Sequence, residues 1–149
     1  MERKVAIGIQ NFFEIREGNY FYIDKTSFIK DWWSSGDSVT LIARPRRFGK
    51  TLNMSMLENF FSLKYANRGD LFEGLAIWKE EEYRKLQGTY PVISLSFANI
   101  KEHNYETTRL KIVQFIVNLY SEYEFLLHSN LLTEIDKDFI KRVSVHMND

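Results

Sequence analysis

The chain has no cysteine in its 149 residues. That excludes a disulfide framework, a thiolate zinc site and a cysteine nucleophile, and it makes a cytoplasmic location the expectation. It also carries no net charge, because 20 Lys and Arg are balanced by 20 Asp and Glu. Bulk attraction to a polyanion is therefore excluded, and any contact with nucleic acid has to come from a local patch. No apolar run approaches the roughly 20 residues that a membrane-spanning helix needs. The opening Met1-Glu2-Arg3-Lys4-Val5-Ala6-Ile7-Gly8 lacks the apolar core of a secretory signal, so no membrane partner is expected. Prolines number only 2, Pro45 and Pro91, and neither a repeat nor a low-complexity linker interrupts the chain. One continuous domain of 1–149, long enough for a single core, is the resulting expectation. What the chain has in plenty is aromatic side chains, with 12 Phe and 8 Tyr in a total aromatic share of 15%. That load exceeds what one small core needs, so some rings are expected to face a groove or a partner.

Apolar periodicity sets out the elements. Ile7 to Ile23 reads as a loop or short helix, then a Glu17-Gly18-Asn19 turn, then a short extended piece. Asp24 is placed to cap a helix from Lys25 to about Ser34, which Gly36 closes. Ser38 to Ala43 is β-branched, apolar and uncharged, the pattern of a strand buried on both faces of a parallel sheet. From Lys50 to about Tyr65 a helix is expected, with Leu52, Met56 and Phe60 forming one row and Leu57 and Phe61 widening it to pack on the sheet. After the Asn67-Arg68-Gly69-Asp70 turn comes a charged helical piece from Lys79 to Leu86. A second strand, Val92 to Phe97, and two amphipathic helices at about 104–123 and 131–145 follow. This order predicts an α/β fold with right-handed crossovers.

Between the first expected strand and its helix stands Arg44-Pro45-Arg46-Arg47-Phe48-Gly49-Lys50-Thr51. Its second half is the Gly-Lys-Thr of a phosphate-binding loop in a strand-loop-helix setting. Gly49 would let backbone amides approach phosphates, Lys50 would supply a point charge to the β and γ groups, and the Thr51 hydroxyl would ligate Mg²⁺. The plainer alternative is a strand-to-helix turn with a solvated Lys50. At the position of the consensus first glycine stands Arg44, held extended by Pro45. Arg44, Arg46 and Arg47 with Lys50 place four cations in seven residues, either a dense anion cradle or a nucleic-acid patch.

Tyr22-Ile23-Asp24-Lys25-Thr26 followed by Arg44-Pro45-Arg46-Arg47-Phe48-Gly49-Lys50-Thr51-Leu52 resembles the paired signature of the AAA-ATPase-like family of bacterial and archaeal proteins. Ala6-Ile7-Gly8-Ile9 with Phe12, Asn59-Phe60-Phe61, Leu71-Phe72-Glu73-Gly74-Leu75 and Tyr90-Pro91-Val92-Ile93 are similar to further landmarks of that family. The resemblance implies a partial P-loop NTPase fold, a parallel sheet with flanking helices, preceded by a leading segment at 1–37. It also implies ATP and magnesium as ligands, held by Arg44, Arg46, Arg47, Phe48, Gly49, Lys50, Thr51 and Leu52, with Thr51 on the metal.

Hydrolysis needs in addition an acidic residue at the end of a second strand, which in this family is an Asp-Glu pair followed by Tyr. Val92 to Phe97 runs instead into Ala98-Asn99. Glu134 and Asp136 lie among helix signals, and Asp24 precedes the loop, where it reads as a helix cap or a residue lining the pocket. The expectation is an amino-terminal fragment truncated before the acidic magnesium-binding strand, with no catalytic residue assigned and a nuclease-like domain beyond it. An open sheet edge would favour a homo-oligomer. A binding or assembly module, whose arginine loop docks nucleic acid or an acidic partner without turnover, is the alternative from another class. His103, His128 and His146 are too scattered for a metal site, and Glu80-Glu81-Glu82 with Arg84-Lys85 reads as an exposed helix.

Overall fold

A computed structural model describes residues 4–43, 45, 48–98 and 100–145. The chain divides into two compact units, Met1–Ser94 and Leu95–Asp149.

The first unit is built around aromatic rings. Helix α1 (Phe12–Glu17) starts where the Asn11 side chain accepts from the Phe13 amide, and it buries Phe12 and Ile15. Helix α2 (Ser27–Ser35) buries Ile29 and ends at Gly36, whose left-handed backbone (φ 65°) closes it as the sequence predicts. Helix α3 (Lys50–Phe61) buries Met56, Phe60 and Phe61, with Leu52 and Leu57 packed at the edge of the core. Tight turns at Gly69–Phe72 and Ala76–Lys79 add Leu71, Phe72 and Ile77, and the short helix α4 (Glu81–Arg84) adds Tyr83. Phe72 lies at the centre, stacked on Phe12 and edge-on to Phe60, with ring centroids 5.0 Å away in both cases. Such pairs contribute about 0.5–1.5 kcal/mol each beyond the area they bury.

Polar bonds tie the layers together. The Ser55 hydroxyl of α3 accepts from the Phe12 amide at 3.0 Å. Arg16 donates from Nε to the Leu71 carbonyl at 2.5 Å and from Nη2 to the Glu73 carbonyl at 2.7 Å, pinning the turn beneath α1. Gly88 (φ 67°) brings its amide to the Phe60 carbonyl at 2.8 Å, so close to Ala66 that a Cβ there would lie 2.2 Å from the Ala66 Cα. Only glycine fits this crossing.

In the second unit, helix α5 (Tyr105–Glu122) is capped by the Asn104 side chain, which accepts from the Thr107 amide at 2.9 Å. Helix α6 (Glu134–Val145) opens on a reciprocal pair in which Thr133 and Asp136 each accept from the other's amide. Phe97 meets Phe115 at 5.7 Å, and Tyr120 of α5 meets Phe139 of α6 at 6.5 Å.

The expected α/β architecture, a parallel sheet with flanking helices truncated before an acidic strand, does not form. Among the described residues the only strand-like pairings are two single parallel bridges, Val5 with Phe21 and Ser62 with Tyr90. Residues 38–43 and 92–97 carry no ladder, and the boundary between the two units falls inside the second of them. Val39 and Leu41 are 86% and 88% exposed, and Ile93, Leu95 and Phe97 are exposed as well. The reason is physical. A parallel strand is held by neighbours along both edges and by helices over both faces. The apolar row of α3 that was expected to cover a sheet is taken up by α1 and the turns carrying Leu71, Phe72 and Ile77. A short β-branched run does not by itself specify a sheet.

Candidate phosphate-binding site

The site starts from a backbone that only glycine adopts without strain. Gly49 (φ 75°, ψ 20°) is the N-cap of α3, and its carbonyl accepts the first helical bond, from the Asn53 amide at 2.9 Å. A glycine cap brings no side-chain oxygen to the helix end. The amides of a first turn point out of the helix, where the macrodipole favours an anion. Gly49, Lys50, Thr51 and Leu52 line one wall of a cleft of about 700 Å³, and Ile7, Gly8, Ile9 and Gln10 line the other. That volume is in the range of small-molecule sites. Lys50 and Thr51 are exposed, whereas Phe48, also exposed, precedes the lining residues in the chain. Arg44, Arg46 and Arg47 lie outside the described residues.

Two features escaped the sequence reading. The first is the opposite wall: Gly8 (φ 81°) turns the leading segment so that 7–10 face the start of α3, about forty residues further on. The Gly8 signal was legible, but its partner was not. The second is the construction around Tyr22–Thr26. Asp24 does not sit at the helix N-cap, which is Thr26. Its Oδ1 accepts from the Thr26 amide at 2.8 Å and the Thr26 hydroxyl at 2.6 Å, and its Oδ2 accepts from the Ala76 amide at 2.7 Å. The fully buried Thr26 in turn accepts, through Oγ1, from the Ile77 amide at 3.2 Å. The pair thus clamps the start of α2 to the turn at Ala76–Lys79. Burial pushes the Asp24 carboxyl up, but the bonds from Thr26 and Ala76 and the nearby Arg16 charge outweigh it and hold the group below its ordinary value. Tyr22 donates to the Met56 sulfur at 3.4 Å, and burial pushes its phenol up to about 12, keeping it neutral.

The residues in the cleft suit a phosphate chain with a bound magnesium ion: amides at a helix end, one ammonium and one hydroxyl. Among the described residues no group of three or more His, Asp or Glu is arranged to hold a metal ion. Magnesium held at Thr51 would take its other ligands from phosphate oxygens and water, as this ion commonly does. Also among the described residues, no helix is long and apolar enough to cross a membrane.

The chain belongs to the AAA-ATPase-like family, whose model, described as "Predicted AAA-ATPase", matches residues 6–148. It is 38% identical over 96 residues to an uncharacterized protein in the vnfD 5' region of Azotobacter chroococcum mcd 1, a match covering 64% of this chain and 17% of that protein. The chain therefore aligns with about a sixth of that relative's length. No solved structure matches it.

Proposed function

We propose that this chain binds ATP together with magnesium through the loop that leads into α3. The observation that carries the reading is the glycine-capped helix end opening on a cleft, with Gly49, Lys50, Thr51 and Leu52 on one wall. In this reading the amides of Gly49 to Leu52 and the Lys50 ammonium hold the phosphates, and the Thr51 hydroxyl holds the metal. Arg44, Arg46 and Arg47 would contribute positive charge that offsets the phosphates' negative charge, and Phe48 precedes the turn. Ile7 and Ile9 offer an apolar surface beside the phosphate end. When bound, magnesium would neutralise phosphate charge.

Calorimetric titration with ATP, with magnesium and then with a chelator, tests it on the unaltered chain and on Lys50→Ala. Saturable binding that needs magnesium and is lost in the variant is expected. Weak binding of any polyanion, unchanged in Lys50→Ala and fading steeply with salt, would overturn it and point to a nucleic-acid or acidic-partner surface.

A further inference from the structure

We infer that Lys25 is a second phosphate-binding cation of this site, reaching the loop from a different element. A methyl group placed on Gly49 would lie 3.9 Å from the Lys25 Nζ, which comes from a distant part of the chain. The ammonium therefore stands beside the backbone that turns into α3, twenty-four residues away in sequence. The inference rests on the nucleotide reading and names one more residue that holds the same ligand.

Three observations carry it. First, the Lys25 backbone is fixed on both sides. Asp24 bonds Thr26 and Ala76, and the fully buried Thr26 bonds Asp24 and Ile77. With the main chain held at both neighbours, only the side chain of Lys25 is left to be ordered when its head group meets a ligand. Second, Asp24, the nearest carboxylate in sequence, has both oxygens engaged by Thr26 and Ala76, and among the described residues Lys25 makes no ion pair. Third, Lys25 is exposed, so a core role does not account for it. An ammonium beside this turn, with no carboxylate partner among the described residues, is matched chemically by a phosphate oxygen. Because Lys25 and Lys50 come from separate elements, a phosphate chain between them would be gripped from two directions.

The test compares the unaltered chain with Lys25→Gln, Lys25→Arg and Lys50→Ala, titrating each with magnesium ATP and with AMP after checking that its thermal unfolding is unchanged. An exposed charge-assisted contact to the β or γ phosphate predicts about a tenfold loss of ATP affinity in Lys25→Gln. Lys25→Arg should recover most of it, with AMP binding the same in all three. Amine acetylation read by mass spectrometry should show Lys25 protected when magnesium ATP is present. If Lys25→Gln binds ATP as tightly as the unaltered chain and Lys25 stays reactive, while Lys50→Ala has lost binding, the role of Lys25 is overturned and the nucleotide reading stands. If the unaltered chain does not bind ATP, both fall.

Discussion

Replacing Thr26 with valine removes one hydroxyl from a fully buried position and leaves the shape nearly unchanged. That hydroxyl has two jobs: it donates to Asp24 at 2.6 Å and accepts from the Ile77 amide at 3.2 Å. In Thr26→Val the Ile77 amide stays buried without an acceptor, which costs about 1–3 kcal/mol. The loss at Asp24 is smaller, roughly 0.5–1 kcal/mol, because its carboxylate is exposed and still accepts from the Thr26 and Ala76 amides. The expected total is about 1.5–4 kcal/mol. With a urea dependence of about 2 kcal/mol per molar, the unfolding midpoint should fall by about 0.7–2 M. Thr26→Ser, which keeps the hydroxyl and deletes a buried methyl, should cost only about 1 kcal/mol. The sign of the pH effect follows from the lowered Asp24 value. A carboxyl depressed in the folded state contributes stability above its unfolded value, ordinarily 3.8, and loses that contribution as pH falls through the lower folded value. Thr26→Val should therefore flatten the acid limb of the stability profile below about pH 4. A midpoint shift under about 0.3 M, or a serine variant as unstable as the valine one, would refute this account of the clamp.

Other expectations concern the core and its turns. Gly36 and Gly88 have nearly the same positive φ, 65° and 67°, but a Cβ at Gly36 meets nothing within 4 Å whereas one at Gly88 strikes the Ala66 backbone. Gly36→Ala should cost about 1 kcal/mol and Gly88→Ala more than about 3 kcal/mol in chemical denaturation; equal losses would refute the steric argument. Phe60→Ala, which empties a fully buried site packed on Phe61 and Phe72, should lose about 3–5 kcal/mol, and a loss under 1 would contradict the aromatic core. Arg16→Met keeps much of the side-chain bulk but removes the donors to Leu71 and Glu73. Hydrogen exchange should then rise in residues 69–77 while α5 stays unchanged; equal exchange in both would contradict the pinning role.

Helices were legible where periodicity and caps agreed. Met56 and Phe60 of the expected row are buried, with Leu52 at the edge of the core, but against α1 and the turns and not a sheet; Gly36 closes α2, and α5 begins at Tyr105, next to the expected start at about Asn104. The sheet was misread because Val39 to Ile42 and Val92 to Phe97 carry only a local signal, whereas a ladder depends on partners that come from elsewhere in the chain. The same limit applies to the site. The Gly49-Lys50-Thr51 turn is local and could be read from its residues. The approach of Ile7 to Gln10, the distance from Lys25 to Gly49 and the bond from Asp24 to Ala76 are long-range, and spacing along the sequence carries no trace of them.

The most direct test is to follow the backbone amides of the labelled chain by nuclear magnetic resonance while magnesium ATP is added. Saturating shifts concentrated at Gly49, Lys50, Thr51 and Leu52, with a second group at Ile7 to Gln10 across the cleft, are the predicted result. Shifts that leave both walls untouched at millimolar ATP, or that never saturate, would contradict a nucleotide site at the start of α3.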